Sequence, residues 1–309
     1  MSSVSIESIK QLRDRTQAGM ADCKSALVEA AGDMDKAVEI ILKKGLAKSA
    51  KRSGKVATEG EIRTQVFGNG REAAIVEVNI ETDFSARNEK FGALVGRAME
   101  AAVAAPTGQS FEELEHGGKK LAEHASELTA VVGEKVTLRR YTKIAVPAGK
   151  AGFCMSYVHM AGKIGVLLTI EAGSDAAAAH EAARTFAEET AMQVAAMNPI
   201  ALNREGVPAD SVARQRGIFE AQMREEANPK PEAMWSKILD GKIGKWFGEV
   251  VLLDQESAQH KKPIKLLLEE AAGKAGAPLA LTAFIRYELG EGIEKQVDDL
   301  QKGVAELLG

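Results

Sequence analysis

The chain has 309 residues, 45% hydrophobic and 27% charged, with 40 Lys and Arg against 44 Asp and Glu and a formal net charge of −4. That balance suits a soluble globular protein of one to three domains and argues against bulk nucleic-acid binding, which needs a basic face to neutralise phosphates. Aromatic residues are only 5% while Ala and Gly are plentiful, so helices are expected to pack through small side chains. Cys23 and Cys154 stand far apart at apolar positions with no CxxC, which predicts buried free thiols and neither a disulfide framework nor a zinc site. The first residues lack a basic region leading into an apolar run, and no segment approaches the ~20 apolar residues that span a bilayer. A cytoplasmic protein without membrane contact is expected.

Residues 4 to 45 predict three short helices. Ile6, Ile9 and Leu12 stripe the first, and Gly19 lies in the break after it. Met20, Cys23, Leu27 and Ala30 stripe the second, which ends at Gly32. Asp33 suits the N-cap of the third, with Ala37, Val38, Ile41 and Leu42 inward and Gly45 as the stop. Residues 46–57 mix Lys48, Lys51, Arg52 and Lys55 with Ser and Gly and predict a solvated basic linker.

From residue 60 the apolar period changes to two. Strands are predicted from Glu61 to Phe67 and from Glu72 to Ile80 around an Asn69-Gly70 hairpin turn, with Ala74, Val76, Val78 and Ile80 on one face. A helix follows through Phe91, Leu94, Val95, Ala98, Met99, Ala102 and Val103. A second is expected from Leu114 to Val132, and a third strand from Val136 to Ala145. The order then recurs: strands at 152–159 and 164–171, a long helix ending near Asn198, and a closing strand at 281–288 whose Arg286-Tyr287 echoes Arg140-Tyr141. Ile75 and Val166 mark a spacing of 91 residues. The pattern predicts an α+β fold with two related subdomains, each a three-stranded antiparallel sheet covered by helices. Between the long helix and the last strand, residues 207–226 and 231–247 predict a helical hairpin turning at Asn228–Pro231. A hairpin with so few core residues projects from the body or packs on a partner.

No phosphate-binding loop, nucleophile elbow or HExxH motif is present. His116, His124, His159, His180 and His260 have no ligand spacing. A protein that acts by binding, not an enzyme, is expected, with no cofactor. One junction stands out. Thr82-Asp83-Phe84-Ser85 lies between the second strand and the helix carrying Phe91. In one reading Asp83 or Ser85 caps that helix and Phe84 folds back on it as a staple; in the other the corner presents Phe84 outward as an anchor for a partner, and both can hold, since Ser85 can cap while Phe84 points away.

Four blocks resemble the signatures of the elongation factor Ts family, bacterial guanine-nucleotide exchange factors of elongation factor Tu. LRDRTQAGMADCKSAL from Leu12 to Leu27 resembles LRxxTGAGMMDCKKAL, and NIETDFSARN from Asn79 to Asn88 resembles NxETDFVARN. SYVHMAGKIGVL from Ser156 to Leu167 is similar to the YxHxxxxxGVL hairpin, and FIRYELGEGIEK from Phe284 to Lys295 to the C-terminal block. Gln17, Ala21, Ser85 and Met160 depart from the usual Gly, Met, Val and Gly.

The resemblance implies a ubiquitin-associated-like three-helix unit at 1–45 that docks on the GTPase, the linker at 46–57, and a first core subdomain at 58–150. It further implies a second subdomain at 151–203 and 248–290, a helical-hairpin dimerisation module at 204–247 and a C-terminal helix at 291–309 that also touches the partner. The partner is elongation factor Tu. Leu12, Arg13, Gly19 and Met20 are carried over as contact residues. Thr82, Asp83, Phe84 and Ser85 form the wedge toward the partner's magnesium site, and His159 lies near the same interface. GDP release followed by GTP rebinding is the implied activity. The competing expectation is a ribosome- or RNA-associated adaptor that uses the basic linker.

Overall fold

The computed structural model describes residues 4–16, 18–52, 54–106, 108–225, 231 and 234–294, without the side chains at 42 and 46–51. Gln17, most of the turn at 228–231 and nearly all of the C-terminal helix expected at 291–309 lie outside the described residues. Among those described, no helix is long and apolar enough to cross a membrane.

Helices α1 (Ile6–Thr16), α2 (Met20–Glu29) and α3 (Met34–Lys51) bury Ile9, Leu12, Cys23, Ala26, Leu27, Ala37 and Ile41 against one another. Asp33 caps α3, its Oδ1 accepting from the amides of Asp35 and Lys36 at 3.1 Å each. The stop expected at Gly45 does not occur, because α3 runs on to Lys51 through the stretch expected to be a linker. Ala and Lys at 47–51 have high helix propensity. Gly45 itself is a point of close contact: it is buried, and a Cβ built on it would collide with the Cβ of Ala130.

The first sheet has the order β1 (Glu59–Phe67), β2 (Glu72–Ile80) and β5 (Val136–Ala145), all antiparallel. Its helices are α4 (Asp83–Ala86), α5 (Glu89–Ala104) and α6 (Leu121–Val132). Ala74, Val76, Val78 and Ile80 face α5 and α6 and pack with Phe91, Leu94, Val95 and Leu121. The helix expected from Leu114 to Val132 starts only at Leu121. Before it lies a small hairpin, β3 (Glu115–His116) and β4 (Lys119–Lys120), because Gly117 and Gly118 adopt φ of 61° and 78°, which end a right-handed helix.

The second sheet has the order β6 (Ala151–His159), β7 (Ile164–Ala172) and β8 (Leu279–Glu288). The long helix expected after it is two, α7 (Asp175–Ala179) and α8 (Glu181–Met197), broken at His180, whose Nδ1 accepts from the Ala182 amide. The inserted hairpin, α9 (Ala209–Glu225) and α10 (Trp235–Val250), is antiparallel, as the Arg216–Asp240 pair and Arg224 over Trp235 require. Helix α11 (Ile264–Ala275) was not anticipated; its Ile264 and Ala271 close the second core.

The sheets pack face to face through Ile62, Ala73, Ile75, Val146, Cys154, Leu167 and Tyr287, giving a helix–sheet–sheet–helix stack. Both faces of β2 are therefore covered, and the strand is almost wholly buried. A pseudo-twofold relation runs through this interface. The Ile62 amide donates to the Gly162 carbonyl and the Cys154 amide to the Gly70 carbonyl, both at 2.8 Å. Equivalent positions are thus 92 apart, as Ile62 and Cys154 or Gly70 and Gly162 are, and the β-bulges at Glu77/Val78 and Thr169/Ile170 repeat the interval. The spacing of 91 inferred from Ile75 and Val166 is one residue short. Those two side chains face opposite ways, Ile75 into the sheet–sheet interface and Val166 toward the helices. The Arg-Tyr echo fails with it: by pairing position Lys143 matches Arg286, and both side chains bond carbonyls at a helix C-terminus, Val103 and Ala105 for one and Ala195 for the other.

Candidate functional site

The corner after β2 is built by two caps in series. Thr82, with extended backbone, caps α4: its Oγ1 accepts from the Ser85 amide at 3.2 Å. Asn88 caps α5, its Oδ1 accepting from the Lys90 amide at 2.9 Å. Neither Asp83 nor Ser85 caps the helix that carries Phe91, which corrects that expectation. The staple is overturned too. Phe84 is 85% exposed, and Ala86 is the corner residue that packs on the core beneath.

Glu134, just past the left-handed Gly133 that ends α6, clamps the corner from the side. Its carboxylate accepts from the Thr82 amide at 3.0 Å, the Thr82 hydroxyl at 2.9 Å and the Ser85 hydroxyl at 2.6 Å. Asp83 pairs with Arg87 one turn on, at 3.0 Å. Glu81 ties the strand end: it accepts two bonds from Arg52, at 2.8 and 3.0 Å, and one from the Lys135 amide. Burial alone would raise its pKa, but the Lys135 amide and the Arg52 charge outweigh burial and hold the carboxyl below the usual glutamate range.

The corner shares a groove with the tip of the β6–β7 hairpin. Glu59, Glu61, Asp83, Arg87, Met160 and Lys163 are among its lining residues. His159 is exposed at the tip, its Nδ1 2.9 Å from the Tyr157 hydroxyl with the two rings stacked. Met160, one of the departures from the resembled signature, adopts φ 49° and is 66% exposed, so the turn is left-handed at a cost of about 1 kcal/mol. Phe84 and Met160 thus give one end of the molecule two large exposed apolar side chains.

On the helical unit Arg13 and Gly19 are exposed and Met20 is 41% exposed. Leu12 is wholly buried in the unit's core. In the chain by itself that side chain offers no surface, unlike those of Arg13 and Met20. Sequence reasoning missed Glu134, Glu81 and Arg52. All three act across large sequence separations and leave no local pattern.

The Elongation factor TS family model matches residues 81–291. The chain is 40% identical over 313 residues to elongation factor Ts of a Clostridium perfringens strain, with 99% of each chain covered. It is 42% identical over 306 residues to elongation factor Ts of a Nitratiruptor species, covering 98% of each. Against that of Xanthobacter autotrophicus it is 41% identical over 318 residues, covering 100% of this chain and 99% of the relative.

Proposed function

The chain belongs to the elongation factor Ts family and is a translation elongation factor, and from that premise we propose that it binds elongation factor Tu–GDP and promotes GDP release. The observation that carries this reading is Phe84, 85% exposed on a corner that Glu134 clamps. A large apolar side chain held outward on a short, doubly capped turn suits insertion between elements of another protein.

GDP is held in a G protein by backbone amides around its phosphates and by magnesium, the largest local positive charge facing the diphosphate. Phe84 wedges into the partner and shifts the elements that position that ion, while Asp83 works at the same place. Arg13, Gly19 and Met20 dock the helical unit, and His159 borders the same contact. No bond is made or broken. Linkage requires that GDP weaken binding of the factor by the ratio with which the factor weakens GDP. Incoming nucleotide with magnesium then expels the factor. On this reading the chain works in the cytoplasm.

Dimerisation through 204–247 is the accompanying proposal. Among the described residues, helices α9 and α10 bury only Met223, Leu239 and Ile243 and leave Phe219, Ile238 and Trp246 along a groove that a second copy would cover. The RNA-adaptor alternative has less support, since Arg52 of the basic stretch is paired with Glu81.

Release of labelled GDP from elongation factor Tu tests the reading. Phe84→Ala is expected to slow factor-stimulated release at least about tenfold, equivalent to ~1.4 kcal/mol of lost transition-state stabilisation. Thermal stability should hold within about 0.5 kcal/mol, as for other exposed positions. Unchanged release rates would remove the wedge.

A further inference from the structure

We propose that α3 is a rigid strut that holds the three-helix unit at one distance and angle from the Phe84 corner, with Gly45 as its seat on α6. The inference rests on the exchange reading above and deepens it, because it makes the two partner contacts parts of one rigid body.

The observations run along one helix. At its start α3 contributes Ala37 and Ile41 to the core of the helical unit. Its 18 residues end at Lys51, a span of about 27 Å at ~1.5 Å per residue. In between, buried Gly45 lies against Ala130 of α6 so closely that a single methyl on it would collide with the Ala130 Cβ. A glycine inside a helix is less favourable than Ala, so its presence there needs a packing reason, and this contact supplies one. Helix α6 leads three residues later into Gly133 and Glu134, the residue that clamps Thr82 and Ser85.

A second tie closes the circuit. Arg52, directly after α3, bonds Glu81, the residue before the corner. Glu81 also accepts from the Lys135 amide, next to Glu134, and the Lys135 ammonium donates to the Lys55 carbonyl at 2.9 Å. The end of α3, the end of α6 and the start of the corner are therefore joined within a few residues. A flexible linker would leave the helical unit to search for its contact. A strut presents both contacts already registered, and the ordering entropy is not lost on binding.

The test uses the full chain with spin labels on Lys10→Cys and Glu112→Cys, exposed positions on α1 and before β3; the native cysteines are buried. Distance distributions are compared for the parent, Gly45→Ala, Ala130→Gly and the double variant, alongside titrations of stimulated GDP release. The parent should give one narrow distance. Gly45→Ala should shift or broaden it and raise the half-saturating factor concentration several-fold, with the plateau rate at saturating factor kept. Ala130→Gly, which removes the colliding methyl, should restore both in the double variant. A broad distance in the parent, an unmoved distance in Gly45→Ala, or a defect that Ala130→Gly does not rescue overturns the strut. Should Gly45→Ala not fold, Arg52→Gln cuts the second tie and is expected to broaden the distance; a narrow, unchanged distance there overturns the proposal as well. The distance requires no partner, so failure of the exchange reading shows separately, as a plateau rate indifferent to Phe84→Ala.

Discussion

Glu134 accepts one backbone amide and two hydroxyls from residues about fifty positions earlier, and with them it sets the attitude of a side chain it does not touch. Removing the carboxylate would leave the Thr82 amide and both hydroxyls to water. The site is solvent-accessible, so the stability cost should stay near 1 kcal/mol. Glu134→Ala is therefore expected to slow stimulated GDP release several-fold with only a small drop in melting temperature, and Glu134→Gln to fall between parent and Ala. A release rate equal to the parent's would show that Phe84 needs no clamp. Glu81 yields a pH prediction. Its folded pKa lies below the ordinary value of 4.5, so its contribution to stability is complete above the unfolded pKa and disappears as pH falls through the folded one. Denaturation of the parent and Glu81→Gln should differ by a constant amount from pH 7 to about 5 and converge under more acid conditions. Of this site, only the exposed aromatic stood out in the sequence, as a misfit at a polar junction. Its supports were hidden because a carboxylate at position 134 looks the same whether it is solvated or clamping a corner fifty residues away.

Among the elements, the period-two strands and the Asn69-Gly70 turn were legible because local chemistry decides them. The extent of α3 was not, since a contact with Ala130 overrides the glycine's local preference. Strand β2 shows the same limit. Its apolar alternation marks the helix-facing side, yet the other side carries Glu77, fully buried in the sheet interior. Arg139 and Arg140 meet it at 2.7 and 2.6 Å, and the Gly290 amide at 2.8 Å. Arg140 also lies over the Tyr287 ring, 4.0 Å from its centroid. The carboxylate thus joins the first sheet to the chain leaving the second. Glu77→Ala would leave the Gly290 amide unpaired and take from both guanidinium groups their buried partner, leaving Arg140 the Glu291 carboxylate and Glu288 carbonyl and Arg139 the Glu291 carbonyl. Breaking a buried pair costs ~3–5 kcal/mol, and the lower end applies because the arginine side chains keep 21% and 29% of their surface in water. Urea denaturation should register that loss; a change under about 1 kcal/mol would mean the node contributes nothing beyond a surface pair.

At the scale of the whole molecule, the two halves repeat at a 92-residue interval while sharing few side-chain identities. What recurs is geometric: left-handed turns at 68–70 and 160–162, a bulge in each sheet, and a cation bonding a helix C-terminus. A one-residue slip in a strand exchanges its two faces, which is why a repeat inferred from residue types missed the register. Each hairpin donates to the other's turn, so the sheets should unfold together. Gly165 probes that union. It lies on β7 opposite the first sheet, and a Cβ there would sit 2.5 Å from Ile62 Cγ2 and 2.9 Å from Ile75 Cδ1. Overpacking of this kind costs about 1–3 kcal/mol. Gly165→Ala is expected to lose that much stability in a single transition, with fluorescence and circular dichroism coinciding. Adding Ile75→Val removes the Cδ1 and should recover only part, because the nearer Ile62 methyl remains. Two separated transitions would show instead that the halves are independent domains in contact. The Phe84 corner and the Met160 tip, one from each half, would then have no fixed relation to one another.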